Sequence, residues 1–388
     1  MKKIVGTIAA IALATSAAFA EVNVGMGFNR AIFAPFTYGT GAGDKVGMTT
    51  CVSWGGAPRV GVSFSAAGEQ IGVVGDIKLD GNSVAVNDNA YIWVKPVSWF
   101  KMQIGQSFDD TLRGGMGYGL WDWLRCWGVM AGDDLTFTRI SGDAARGFGG
   151  DVSTSLAGAI LMLDPVEGLH IGVGFKTSIE GNVVNDNDAD GNFTGKYFKY
   201  GYSSAEKVFK NLQVQAGYTI ANIAQIKAQW IGYEKANGDA AGIINAAVGL
   251  KAVEDMTLEV GAFFKTEEKS NIVISAMWAM PISSVKLNAL AKVVIPGSDA
   301  EKLDLTAGVG AGFDLGNGMN LSADVRFHQK FADGAKTDLA FGVFFDKWLG
   351  NGSLGIGFEG ALNGASIAGV TAAGDFKMAL PIRVQCFF

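Results

Sequence analysis

Three cysteines, seven prolines and two histidines in 388 residues set the first exclusions. An odd number of cysteines cannot pair completely, and the spacing of Cys51, Cys126 and Cys386 suits no zinc site. With only His170 and His328 available, chemistry built on a histidine base has two candidates. Neither sits in a recognisable nucleophile motif. Charged residues make up 18% of the chain against 49% hydrophobic ones, and there is no phosphate loop, dinucleotide fingerprint or basic face for nucleic acid. Beyond Ala20 no run of about 18 apolar residues is free of glycine, asparagine and charge, so no helix is expected to cross a membrane. Long amphipathic helices and βαβ patterns are missing too, and a soluble core of this hydrophobic content would need them.

What is there begins at the N-terminus. Residues 1–20 read as a secretory signal peptide: Lys2 and Lys3, an apolar run from Ile4 to Ala17, and the small-x-small site Ala18-Phe19-Ala20 before Glu21. Its removal moves the net charge from −6 to −8, because both lysines leave with it. Residues 21–388 form the mature unit, with no linker and no second domain. In its last thirteen residues, apolar side chains occupy every second position: Phe376, Met378, Leu380, Ile382, Val384, Cys386 and Phe388, with Lys377, Arg383 and Gln385 between them. Period two is one face of a strand. An apolar-faced last strand ending in an aromatic, here Phe388, resembles the assembly signal that barrel-assembly machinery reads in bacterial outer-membrane barrels. Pro381 cannot donate a ladder bond and predicts a local irregularity such as a bulge.

The same period recurs along the chain. Leu303, Leu305, Ala307, Val309, Ala311 and Phe313 alternate with polar residues or glycine, as do Met319, Leu321, Ala323, Val325 and Phe327. Each stretch is about ten residues, the length of a tilted strand crossing a bilayer. Gly316-Asn317-Gly318, Asp333-Gly334 and Gly350-Asn351-Gly352 mark turns between them. The 55 glycines fit tight turns and a crowded inner wall and disfavour long helices. The expected fold is all-β, a transmembrane antiparallel β-barrel of about eighteen strands, with sixteen as the alternative. Strands are expected near 21–29, 58–65, 70–79, 84–95, 97–107, 152–163, 168–178, 212–220, 224–235, 242–252, 257–266, 271–280, 284–295, 302–314, 319–331, 337–347, 353–362 and 375–388. Val46 to Trp54 reads as loop or as an extension of the strand that starts at Arg59.

The longest connection, 108–151, is the third outer loop by this count. It carries Asp109, Asp110, Asp122, Asp133 and Asp134, four arginines, and Trp121, Trp123 and Trp127. So many aromatics need a place to be buried, and the lumen is nearest. The segment Asn89-Ala90-Tyr91-Ile92-Trp93-Val94-Lys95-Pro96, continuing through Gln103-Ile104-Gly105-Gln106 to Asp109-Asp110-Thr111-Leu112-Arg113-Gly114, resembles the strand–turn–strand that leads into the constriction loop of bacterial porins. It is also similar to porin-like proteins of spirochaetes. The resemblance implies a third loop folded into the lumen, with its carboxylates facing wall bases, and a homo-oligomer, as in trimeric porins.

If the apolar alternates face lipid, Arg59, Lys78, Lys101, Lys176, Lys286, Lys292, Arg326, Lys330, Lys377 and Arg383 point inward, as do Asp304, Asp324, Asp338 and Glu359. A Lys or Arg facing lipid near the midplane would cost about 2–4 kcal/mol. These bases and the loop acids could form a selective eyelet, or they could pair only to hold the loop in place. Asp186, Asp188 and Asp190 with Gly191 have a calcium-loop spacing, but Tyr197 stands where the bidentate glutamate belongs, so a solvated loop is the competing reading. Cys51 and Cys126 could join two outer loops, while Cys386 should face lipid and stay free. His170 and His328 both fall on inward faces and read as polar wall residues.

The function this predicts is an outer-membrane diffusion channel for small hydrophilic solutes and ions, needing no cofactor except calcium if the loop binds it. The alternatives are a surface adhesin or structural protein with a plugged barrel, and a lipid-acting barrel enzyme if His170 or His328 proved essential. Tyr91, Trp93, Trp99, Tyr118 and Trp121 hint at an aromatic row for a particular solute.

Overall fold

The computed structural model describes residues 21–386 except 26–28, 41–44, 52–59, 81–82, 110, 113–151, 154–157, 177–178, 191, 203, 222, 251–252, 299 and 364–374. The signal-peptide reading, Phe388, Arg59, Asp110, Asp122, Asp133, Asp134 and Cys126 fall outside the described residues.

Alternating sequence gives strands nearly throughout. The first seven are β1 Glu21–Gly25, β2 Asn29–Gly39, β3 Lys45–Cys51, β4 Val60–Ala67, β5 Ile71–Asp80, β6 Ser83–Val97 and β7 Phe100–Gln106. The two-residue strands β8 Phe108–Asp109 and β9 Val152–Ser153 pair with each other at the two ends of the long connection. β10 Ala159–Leu163 and β11 Leu169–Phe175 are followed by a separate hairpin, β12 Ile179–Asn187 with β13 Phe193–Tyr202, and a short helix, α1 Ala205–Lys210. The meander then runs through β14 Gln213–Ile220, β15 Ala224–Glu234, β16 Ala240–Leu250, β17 Thr257–Lys265, β18 Ile272–Ile282 and β19 Val285–Ile295. It ends with β20 Asp304–Gly316, β21 Met319–Lys330, β22 Asp338–Trp348, β23 Gly352–Leu362 and β24 Phe376–Cys386.

Twenty of these strands belong to one antiparallel sheet. Sequence neighbours pair, with two skips: β7 pairs with β10 across the long connection, and β11 with β14 across the β12–β13 hairpin. β2 pairs with β3 on one side and β24 on the other, while β1 pairs with β4. Expected turns hold their special backbone: Asn317 and Gly318 both have positive φ (53° and 71°), the requirement of the two-residue turn between β20 and β21.

The two faces of the sheet differ in the way the alternation predicts. Along β24, Lys377, Ala379, Pro381, Arg383 and Gln385 are buried, while Leu380 and Val384 between them are exposed. On the outer face Val309 is 61% exposed and pairs with Val325, itself exposed, while Ile356 pairs with Ile382. On the inner face Gln215, Lys227, Asn245, Glu259, Ser275 and Arg326 are buried. A water-soluble fold has the opposite distribution. The interior is not wholly polar: Ile243, Phe263, Val273, Met277 and Leu290 on β16–β19 and Phe344 on β22 belong to one buried cluster there.

Two readings of the sequence need correction. Residues 29–39 are a strand rather than a connection, and of the two readings of 46–54 the strand is the one that Lys45–Cys51 takes. Pro35 hid the first, because it removes a ladder donor. The chain accommodates it with a register shift between Phe33 and Phe36 on β24 and between Ala34 and Thr37 on β3. The irregularity expected at Pro381 meets the same place, between the pairs Phe33–Ile382 and Phe36–Leu380. Residues 179–202 are a hairpin rather than a loop, and they pair outside the main sheet. Their aspartate- and asparagine-rich tip reads as a turn, which masked the strands beside it.

Candidate functional site

The inner wall and the root of the long connection form the candidate site. Wall charges pair in a manner set by small residues. Arg383 on β24 reaches Asp346 on β22 at 2.8 Å, and between them β23 places Gly355, the register partner of both. Lys227 on β15 bonds Glu259 on β17 at 2.5 Å across β16, where Gly249 is the partner of Glu259. Strands two apart are separated by about 9.6 Å, twice the spacing of neighbours, so side chains bridge them only over a residue with little or no side chain. Arg326 bonds Asp324 on its own strand through Nε (3.1 Å) and Nη2 (2.5 Å). Glu359 lies on the next strand but one, with Gly342 between it and Asp324 in the register, and both its carboxylate oxygens are buried without a hydrogen-bond partner among the described residues.

At the connection's root, Asp109 is 1% exposed. One of its oxygens accepts from the Thr111 amide (3.2 Å) and hydroxyl (2.7 Å), and the other faces His170 Nε2 at 2.7 Å. Gln215 on β14 donates to the Asp109 carbonyl at 3.1 Å. Gly172 and Gly217 make the seat. A Cβ on Gly172 would lie 2.3 Å from Asp109 Oδ2, and one on Gly217 would lie 2.3 Å from a Leu112 methyl. Asp109 and Leu112 are thus pressed onto β11 and β14, on the inner face. His170 Nδ1 faces Asp164, in the turn between β10 and β11, at 2.7 Å. His328 on β21 has the same arrangement: Asp338 on β22 at 3.0 Å and Asp304 on β20 at 2.9 Å.

Of the acids expected in the constriction, Asp109 is described, and its partner across the inner face is His170. Of the expected wall bases, Lys292, Arg326 and Arg383 are buried on the inner face, and Lys101 on β7 is half-buried with its ammonium over the Trp93 ring at 5.4 Å. Lys286 and Lys330 lie near and at strand ends, Lys176 lies just past β11, and all three are exposed. Trp93 belongs to the inner face and Trp99 sits in the β6–β7 turn, while Tyr118 and Trp121 lie outside the described residues. Sequence reasoning missed the Asp109–His170–Asp164 set and the bridge from Lys227 to Glu259. Both join residues from different strands, and alternation assigns a face without saying which neighbours share a height.

In the hairpin tip, Asp188 accepts from the amides of Asp190 (3.0 Å) and Asn192 (2.8 Å) and from the Asn192 side chain (3.1 Å), so the turn itself uses that carboxylate. Among the described residues no group of three or more His, Cys, Asp or Glu is placed to hold a metal ion. Cys386 is a free thiol.

No family model and no curated protein sequence matches the chain. Solved structures do. An anion-selective porin from Comamonas acidovorans is 12% identical with a TM-score of 0.51, over 95% of this chain and 100% of that one. OccK11 (OpdR) of Pseudomonas aeruginosa is 11% identical with a TM-score of 0.53, over 95% and 96%. OccAB4 of Acinetobacter baumannii is 9% identical with a TM-score of 0.53, over 96% and 98%. At this identity the likeness concerns the fold, and the fold is that of bacterial outer-membrane porins.

Proposed function

We propose that this protein is an outer-membrane porin, a passive diffusion channel for small hydrophilic solutes and ions. The carrying observation is the inverted sheet, apolar outward and polar inward, which suits lipid outside and water within. β1 pairs with β4 in line with the pairing of β2 with β3, so β1–β2 and β3–β4 are each read as one stave. The twenty sheet strands then make eighteen staves, and the β2–β24 ladder closes them into a barrel. Barrel-assembly machinery would insert such a chain, and a homo-oligomer fits the fold.

Among the described residues, buried inner-face charges include five acids (Asp109, Glu259, Asp324, Asp346, Glu359) and five bases (Lys227, Lys292, Arg326, Lys377, Arg383). This balance supports weak ion selectivity. The histidine chemistry that an enzyme reading needs is occupied, since both ring nitrogens of His170 and of His328 face carboxylates.

One observation favours the plugged, structural alternative: Arg326 and Glu359 are fully buried although they face the interior. Single-channel conductance of the refolded mature protein in a planar bilayer, with the reversal potential in a salt gradient, decides between the two. Discrete steps with a small reversal potential are expected. Silence from folded protein would replace the porin reading with the plugged one.

A further inference from the structure

We propose that His170 is a positioning residue that locks Asp109 and the described residues beside it onto the inner wall, and that the lock is tight only while its imidazole is doubly protonated. The inference rests on the porin reading only for its effect on conduction. The lock itself stands on geometry. Both ring nitrogens lie 2.7 Å from carboxylate oxygens, Nε2 from Asp109 and Nδ1 from Asp164. Ionised carboxylates only accept, so each contact requires an N–H, and a neutral imidazole has one while the imidazolium has two. Among the described residues the charged groups facing the ring are these two aspartates, and Lys101 on β7 lies near enough to Asp109 to act on it electrostatically.

The two contacts are unequal. Asp109 is sealed between His170, Thr111 and the bare backbone of Gly172, whereas the Asp164 side chain is 58% exposed. When the ring loses a proton, Asp164 can turn to water but Asp109 cannot. The single remaining N–H therefore stays with Asp109, and the ring loses both its charge and its tie to the β10–β11 turn. The bond to Asp109 loses the charge on its donor and keeps only that on its acceptor, so it weakens and the root loosens. His328 has two aspartate partners of its own and sits on β21, which pairs with β20 and β22 rather than with β11 or β14, and this makes it the internal control.

The test is amide exchange of residues 105–112 in the refolded full-length protein, read by mass spectrometry from about pH 5 to pH 8 and corrected for intrinsic exchange rates. Wild-type protection is expected to fall roughly 10- to 100-fold as the imidazole titrates, the scale of one charge-assisted bond. His170→Gln should exchange fast across the whole range, and His328→Gln should follow wild type. Asp164→Asn should keep the pH step but lower the protection below it. A flat wild-type profile, or an unchanged step in His170→Gln, would overturn the lock. Channel recordings over the same pH range report separately: the absence of any conductance would count against the porin and leave the exchange result standing.

Discussion

Arg326 has no exposed surface, and its guanidinium holds Asp324 while Glu359 lies close by. Replacing it with Gln leaves two buried carboxylates without their cation, and the expected loss is about 3–5 kcal/mol of unfolding free energy. Denaturant titration in micelles, followed by tryptophan fluorescence, measures this. Glu359→Gln should cost far less, because its buried carboxyl oxygens have no hydrogen-bond partner among the described residues to lose. A second residue-scale expectation concerns Gly172. In Gly172→Val the added side chain takes the place of the Asp109 carboxylate, so residues 107–112 should lose exchange protection even at low pH. Sequence alone placed Arg326, Asp324, Glu359 and both histidines on the inner face. It could not show that Glu359 and Asp324 flank Gly342, or that His170 meets Asp109 sixty-one positions away, since those meetings depend on stagger between strands.

At the scale of elements, α1 shows how a short exposed helix is held. Lys210 reaches Glu206 at 2.7 Å, Glu234 at 3.3 Å and the Gly238 carbonyl at 2.6 Å, tying the helix to the end of β15 and the turn after it. The Lys210 ammonium draws the Glu206 carboxyl below its ordinary value of 4.5. A depressed carboxyl contributes stability that is complete above that value and is lost as pH falls through the lowered one. Amide protection of residues 205–211 should therefore decline below about pH 4.5 and weaken in high salt, and Lys210→Met should remove both responses. On β20, Val309→Arg tests which face meets lipid. It should cost about 2–4 kcal/mol in urea titrations from bilayers, and a negligible cost would mean that this face is not in hydrocarbon. Long alternating elements such as β20, β21 and β24 were legible because nothing interrupts their period. β2 was not, because Pro35 breaks the ladder and shifts the register, and β12 and β13 were not, because their joining turn is rich in Asp and Asn.

For the whole molecule, inward charges that nearly balance predict a channel whose reversal potential stays small in a salt gradient. Neutralising one member of a bridged pair, as in Asp346→Asn beside Arg383, should tilt it toward anions. An unchanged reversal potential would place that pair off the conducting path.

The pairing of β2 with β24 sets the timing of folding. It joins residue 29 to residue 386, so the ladder that ends the sheet cannot form until almost the entire polypeptide has been delivered. Contacts this distant in sequence are the slowest to be found. Throughout that wait β2 and β23 each present an unpaired edge, ready to template another chain. A chain that stops short of β24 keeps both edges permanently, and its fate is aggregation rather than a smaller version of the same protein.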